Sequence, residues 1–278
     1  MEGMIDTVKL VLKGGIIGIA NIIPGVSGGT MAVVLGIYEK LIEAIGNILI
    51  DKKRRKEYFI FLLKVFVGAG IAIIILSRVM DYLLTNHEQY TYIFFIGLIL
   101  GSIPSIYKTH PHMQFSIPAG IAFLAGIALI LVIFIFAPEH HEPINEAMGL
   151  SLSSYQVFML IISGFFSGGS MIMPGVSGSF ILVILGQYHI VIRALKNFDI
   201  FPLLLLGIGI ALGIWSFAKL IDYLLKKFPK ETFYFILGLV VASVVPIFPG
   251  MPAEISRQIV AIFILIAAIL ISYKLGDR

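Results

Sequence analysis

Not one of the 278 residues is a cysteine, which excludes disulfide bonds and thiolate metal sites and leaves the redox compartment unread. Charge is nearly as scarce: Asp, Glu, Lys and Arg make up 13% of residues against 59% hydrophobic, with a mean hydropathy of +1.01. A water-soluble domain of this size needs a far more polar surface, so the solvent for most of the chain is a bilayer. The net charge of +4 is small and clustered, which suits the positive-inside bias of membrane proteins rather than a nucleic-acid partner. The first ten residues lack the basic start and small-residue cleavage site of a signal peptide, so they are expected to stay in the mature protein. Walker A and HExxH patterns are also missing, so ATPase and zincin chemistry have no support. His110, His112 and the stretch Glu139-His140-His141-Glu142 fall in loops and read as incidental polarity rather than metal ligands. No cofactor and no metal are implied.

Glycine and proline, by contrast, are plentiful for so apolar a chain, at 28 and 12 residues. In membrane helices they mark breaks that are tolerated where backbone is buried or lines a cavity. Their placement exposes a duplication. Setting residue i over i+150 aligns 22–47 with 172–197, and 13 of the 26 positions are identical, among them Pro24/Pro174, Gly25/Gly175, Val26/Val176, Ser27/Ser177, Gly28/Gly178, Gly36/Gly186, Tyr38/Tyr188 and Asn47/Asn197. A longer charged loop at 51–57 then reduces the offset to 141. At that offset Asp81-Tyr82-Leu83-Leu84 falls on Asp222-Tyr223-Leu224-Leu225, and Gly68, Gly97 and Ser102 fall on Gly209, Gly238 and Ser243.

The fold class expected is an all-α polytopic membrane protein built from two inverted-topology repeats. Repeat one covers 1–137, with a broken or re-entrant hairpin at about 4–50 and spans at about 58–84, 90–107 and 115–137. A loop at 138–153 follows, and then repeat two over 154–278, with a hairpin at about 154–197 and spans at about 200–226, 231–247 and 256–274. A hairpin begins and ends on one side of the membrane, so three further spans give each half an odd number of crossings. The second half is therefore inverted relative to the first, as in many secondary transporters. With the N-terminus inside, 13 basic residues fall on the cytoplasmic side: Lys9, Lys13, the five at 52–56, Lys108, Lys226, Lys227, Lys230, Lys274 and Arg278. Only Arg193, Lys196 and Arg257 fall outside, and the loop at 138–150 has no Lys or Arg at all.

The tips of the hairpins are the candidate site. In Asn21-Ile-Ile-Pro-Gly-Val-Ser-Gly-Gly-Thr30, Pro24 and Gly25 end the first arm, while Ser27 is suited to cap a second arm whose first turn is Gly28, Gly29 and Thr30. Free N–H groups and the helix dipole at such a start favour a phosphate or carboxylate, and glycine lets it approach closely. Ser177, Gly178 and Ser179 form the second tip. Hairpins inserted from opposite faces would bring the two tips together near the midplane.

Ionisable residues inside spans are costly and are functional candidates. Arg78 and Asp81 align with Lys219 and Asp222, and the i, i+3 spacing puts each basic–acidic pair on one helix face where its members can neutralise each other. Glu39 and Glu43 lie one turn apart on the second arm of hairpin one, with His189 and Arg193 as their counterparts. These residues supply anion partners in Arg78, Lys219 and Arg193 and proton-carrier candidates in Glu39, Glu43, Asp81 and Asp222. A transporter of a small soluble anion uses the same tips, and a membrane lipid phosphatase is a third reading, although no nucleophile–base pair is visible.

The block 21–30 running on through Leu35-Gly36-Ile37-Tyr38-Glu39, with its echo at 174–178 and Leu185-Gly186-Gln187-Tyr188, resembles the PopT family of bacterial polyprenyl-phosphate transporters over essentially the whole chain. That resemblance implies a non-enzymatic flippase that returns undecaprenyl phosphate from the outer to the inner leaflet of the cytoplasmic membrane, recycling the lipid carrier of cell-wall synthesis. It implies membrane lipids as surroundings and no nucleic-acid partner. Protons are the coupling ion suggested by the carboxylates. The oligomeric state is left open, a homodimer included. The second tip departs from the first, with Ser179 and Phe180 where Gly29 and Thr30 stand, so the two phosphate cradles are expected to be unequal.

Overall fold

The computed structural model describes residues 2–21, 27–109, 114–135 and 154–276. Pro24, Gly25, Val26, His110, His112 and the 138–150 loop lie outside the described residues, as do the side chains of Asp81, Phe180, His189 and Lys196. The described chain is helical with no strands, and six of its helical stretches are long and apolar enough to cross a bilayer. In a solvent that offers no hydrogen bonds, a helix satisfies its own backbone, which is why this apolar sequence takes that form throughout.

The helices run in order as α1 (Glu2–Ala20), α2 (Gly28–Val34), α3 (Tyr38–Asn47), α4 (Arg55–Asn86), α5 (Glu88–Thr109), α6 (Ile117–Ile135), α7 (Ser154–Ile172), α8 (Gly178–Ile184), α9 (Tyr188–Asn197), α10 (Ile200–Lys227), α11 (Pro229–Ala242), α12 (Val244–Ile247) and α13 (Ile255–Gly276). The repeated sequence produces repeated helices: α1 and α7 are each 19 residues, α2 and α8 each 7, and α3 and α9 each 10.

Helix pairing depends on small residues, since lipid supplies no hydrophobic drive between helices and close backbone approach must supply the attraction. α1 packs along α4 and α7 along α10. A Cβ added at Gly14 would collide with the Val65 backbone, and one at its counterpart Gly164 with the Leu206 carbonyl. The last helices are exchanged between the halves: α6 packs on α11, and α13 packs on α5. Gly238 abuts Phe123 across the first contact, and its counterpart Gly97 meets Ala268 across the second. This exchange ties both repeats into one body. α11 and α12 lie centrally and are largely buried, whereas α6 and α13 are mostly exposed and face lipid.

The second arm of each hairpin is not one helix. It breaks at Gly36 and Gly186, whose φ values of 66° and 68° lie in the left-handed region that favours glycine. At the first break the Ile37 N–H reaches the Ala32 carbonyl at 3.0 Å and the Gly36 N–H reaches Val33 at 3.0 Å, a Schellman end to α2. The second break repeats it, Gln187 to Leu182 at 2.9 Å and Gly186 to Val183 at 3.0 Å. The repeated Leu-Gly dipeptide is the signal for this break in the sequence.

Candidate functional site

The two hairpin tips touch, and polar groups join them. Thr30, 1% exposed, accepts a hydrogen bond on Oγ1 from the Gly175 N–H at 2.7 Å. The Ser27 hydroxyl donates to the Met173 carbonyl at 3.3 Å, and the buried Tyr38 hydroxyl donates to the Ile172 carbonyl at 3.1 Å. Ile172 ends α7, so its carbonyl has no partner in its own helix, and Tyr38 supplies one from the other half of the chain. Gly29 allows this closeness, because a Cβ there would stand 2.9 Å from the Ile172 oxygen.

The first tip spends its polar groups on the protein. Ser27 is the N-cap of α2, with extended backbone (φ −98°, ψ 135°), and its Oγ accepts from the Gly29 N–H at 3.2 Å. The Gly28 N–H donates to Asn21 Oδ1 at 3.1 Å, and every residue of α2 is buried. The second tip is different. Ser177 occupies the same N-cap geometry but makes no capping bond with its side chain. Its hydroxyl lies 2.9 Å from that of Ser179 in an exposed pair. Gly178 is buried, its carbonyl accepting from the Ser167 hydroxyl at 2.9 Å. The substitution of Ser179 for Gly29 thus places two hydroxyls together at the open tip.

Away from the tips, Lys219 and Asp222 meet a partner 172 and 175 residues earlier in the chain. Lys219 Nζ donates to Asn47 Oδ1 at 2.7 Å, and Asn47 Nδ2 donates to Asp222 Oδ2 at 2.9 Å. Asp222, 6% exposed, also accepts from Lys226 at 2.8 Å. Among the described residues no ion pair links Lys219 to Asp222 directly. The i, i+4 neighbour Lys226 neutralises the carboxylate, and Asn47 bridges the i, i+3 pair instead. Gly46 admits the approach, with its Cβ position 3.1 Å from the Lys219 backbone nitrogen. The identity of Asn47 and Asn197 in the repeat was the available signal for this residue.

The remaining charged candidates are spread out. Arg78 is exposed on α4, Arg193 is half-buried on α9, and the Asp81 side chain is outside the described residues. Glu39 is exposed in the first turn of α3. Glu43 is bound to the start of α4: Arg54 Nη1 reaches Glu43 Oε1 at 2.6 Å, and the Tyr58 hydroxyl donates to the same oxygen at 3.1 Å. Arg54 also pairs with Glu57 at 3.1 Å, and Lys40 stands 3.8 Å from Glu57. Lys13, grouped with the cytoplasmic charges by sequence, turns inward and donates to the Leu35 carbonyl at 2.7 Å. There it satisfies the C-terminal end of α2, where the helix dipole is negative.

The undecaprenyl phosphate translocase-like family model matches residues 17–261, a stretch that takes in both tips and the Asn47 contact. The chain belongs to this family. A polyprenyl-phosphate transporter of Staphylococcus aureus is 34% identical over 273 residues, covering 96% of this chain and 95% of that protein. A polyprenyl-phosphate transporter of Vibrio cholerae is 32% identical over 253 residues, 86% of this chain and 76% of that one. No solved structure matches. With six apolar helices and relatives named as transporters, the chain is a multi-pass membrane transport protein and not an enzyme.

Proposed function

We propose that the protein flips undecaprenyl phosphate from the outer to the inner leaflet of the bacterial cytoplasmic membrane, returning the lipid carrier for further rounds of cell-wall synthesis. The halves act as inverted repeats with both termini cytoplasmic, the arrangement that the 13-to-3 division of basic residues favours. The observation that carries the reading is the junction of the tips, where Thr30 binds the Gly175 N–H and an exposed Ser177–Ser179 hydroxyl pair stands beside it. Hydroxyls at a helix start suit a phosphate monoester, and the polyprenyl tail stays in lipid. Phosphate contact falls to the second tip, with Ser177, Gly178 and Ser179. Ser27, Gly28, Gly29 and Thr30 hold the first tip in place against it. Arg78, Arg193 and Lys219 balance the charge on the way in and out.

Transport is proton-coupled in this reading, with Asp222, Asp81 and Glu39 as the carboxylates to test. Protonating Glu43 would give up the Arg54 ion pair and protonating Asp222 the Lys226 pair, so Glu39 and Asp81 come first in the test. The test is a reconstituted vesicle assay that follows outer-leaflet undecaprenyl phosphate with and without a pH gradient. Translocation should be faster with the gradient, and inorganic phosphate should compete poorly with a short-chain polyprenyl phosphate. Equal competition would shift the reading to a small-anion transporter.

A further inference from the structure

The repeats match in sequence and helix length, yet their second arms are packed differently. α3 lies along α10, joined by the Asn47 bonds to Lys219 and Asp222. The counterpart helices are α9 and α4, and among the described residues they make no comparable packing. Exposure follows the same division. α2 is wholly buried, and α3 buries Tyr38, Leu41, Ile42, Ala44 and Gly46. In the other repeat Ser179 is exposed on α8, and Asn197 is exposed at the end of α9. The same residue types stand on both sides: Asn197 where Asn47 stands, Arg78 where Lys219 stands and Asp81 where Asp222 stands. Arg78, like Asn197, is exposed.

We propose that Asn47 and Asn197 are the bolts of two alternating gates, and that this structure has the Asn47 gate shut and the Asn197 gate open. A duplicated sequence can form the same contact at either end. Closing both at once would bury the tips from each side, so a carrier holds one closed at a time. In the second state α9 swings onto α4 and Asn197 bonds to Arg78, while Asn47 leaves Lys219 and Asp222. The exposed Ser177–Ser179 pair belongs to the open side, which is where a headgroup enters in the present state. The gates are not equal. Lys196 replaces Gly46, so the second cannot repeat the close backbone approach of the first, and Thr85 replaces Lys226. The inference rests on the inverted-repeat reading above, but its test needs no substrate.

The absence of native cysteine makes the test direct. One variant carries Asn47→Cys with Lys219→Cys, and the other carries Asn197→Cys with Arg78→Cys. The first pair loses its own gate bonds but keeps the close approach of Gly46 to the Lys219 backbone, so it should cross-link faster in purified, reconstituted protein than the second pair, which starts apart. Adding Asn47→Ala to the second variant should raise its cross-linking rate about tenfold or more, since loss of two bonds to charged groups releases the shut gate. Lys219→Met, which removes one bond, should act in the same direction more weakly and covers the case in which Asn47→Ala fails to fold. A second pair that never cross-links, or whose rate is the same with Asn47→Ala and Lys219→Met, would overturn the proposal. Failure of undecaprenyl phosphate flipping with normal gate exchange would instead count against the transport reading alone.

Discussion

Replacing Thr30 by valine tests whether the junction of the tips holds the fold together. The substitution keeps the shape of the side chain and removes only the oxygen that accepts the Gly175 N–H at 2.7 Å. Thr30 is 1% exposed and Gly175 is half-buried, so water replaces the lost acceptor only in part. An unpaired buried N–H costs about 1–3 kcal/mol, more than the roughly 1 kcal/mol net value of an ordinary hydrogen bond. Thr30→Ser keeps the acceptor and loses one methyl, worth about 0.8 kcal/mol on burial. The order of stability should therefore be wild type, Ser, Val, measured as the unfolding free energy in mixed detergent micelles. Transport should follow the same order, because the first tip fixes the position of the second. Valine as stable as wild type, or serine less stable than valine, would refute the assignment of Thr30 to this bond. Equal stability combined with abolished lipid binding would return Thr30 to the phosphate-contact role expected from sequence.

Two further outcomes follow from the same geometry. Ser177→Ala with Ser179→Ala should weaken polyprenyl-phosphate binding about tenfold, the loss expected for roughly 1.4 kcal/mol of hydroxyl contact, while thermal stability stays near wild type because Ser177 makes no side-chain cap; equilibrium binding and melting curves read the two separately. Gly14→Ala should destabilise strongly, since its Cβ collides with the Val65 backbone, whereas Gly70→Ala meets nothing within 4 Å and should stabilise by about 0.5–1 kcal/mol through helix propensity. A melting series of the two variants checks the contrast.

The glycines at 68, 97, 209 and 238 were legible as repeat positions, and each proves to be a helix crossing. What the crossings join was not legible. Nothing local in the sequence distinguishes α6 packing on α11 from α6 packing on its own repeat, because an apolar helix face with a glycine accepts either neighbour. The break after Leu35 was written in the sequence as Leu-Gly, but an isolated glycine is tolerated in a helix, and only the left-handed φ at Gly36 decides the matter. The link from Lys219 to Asp222 was expected within one helix. It runs through Asn47 because side chains three residues apart share a face without being required to touch.

By itself the sequence determined the solvent, the helical class, the duplication and the two serine-glycine tips. Composition and period-150 identity are summed over many residues, so no single contact can overturn them. Only the tertiary structure decided which tip is buried and which is open, and that Asn47 rather than Asn197 is engaged. Two nearly identical repeats have the same local preferences. The difference between them is a property of how the helices pack, and a duplicated chain in one conformation can satisfy the contact at one end while leaving it unmade at the other.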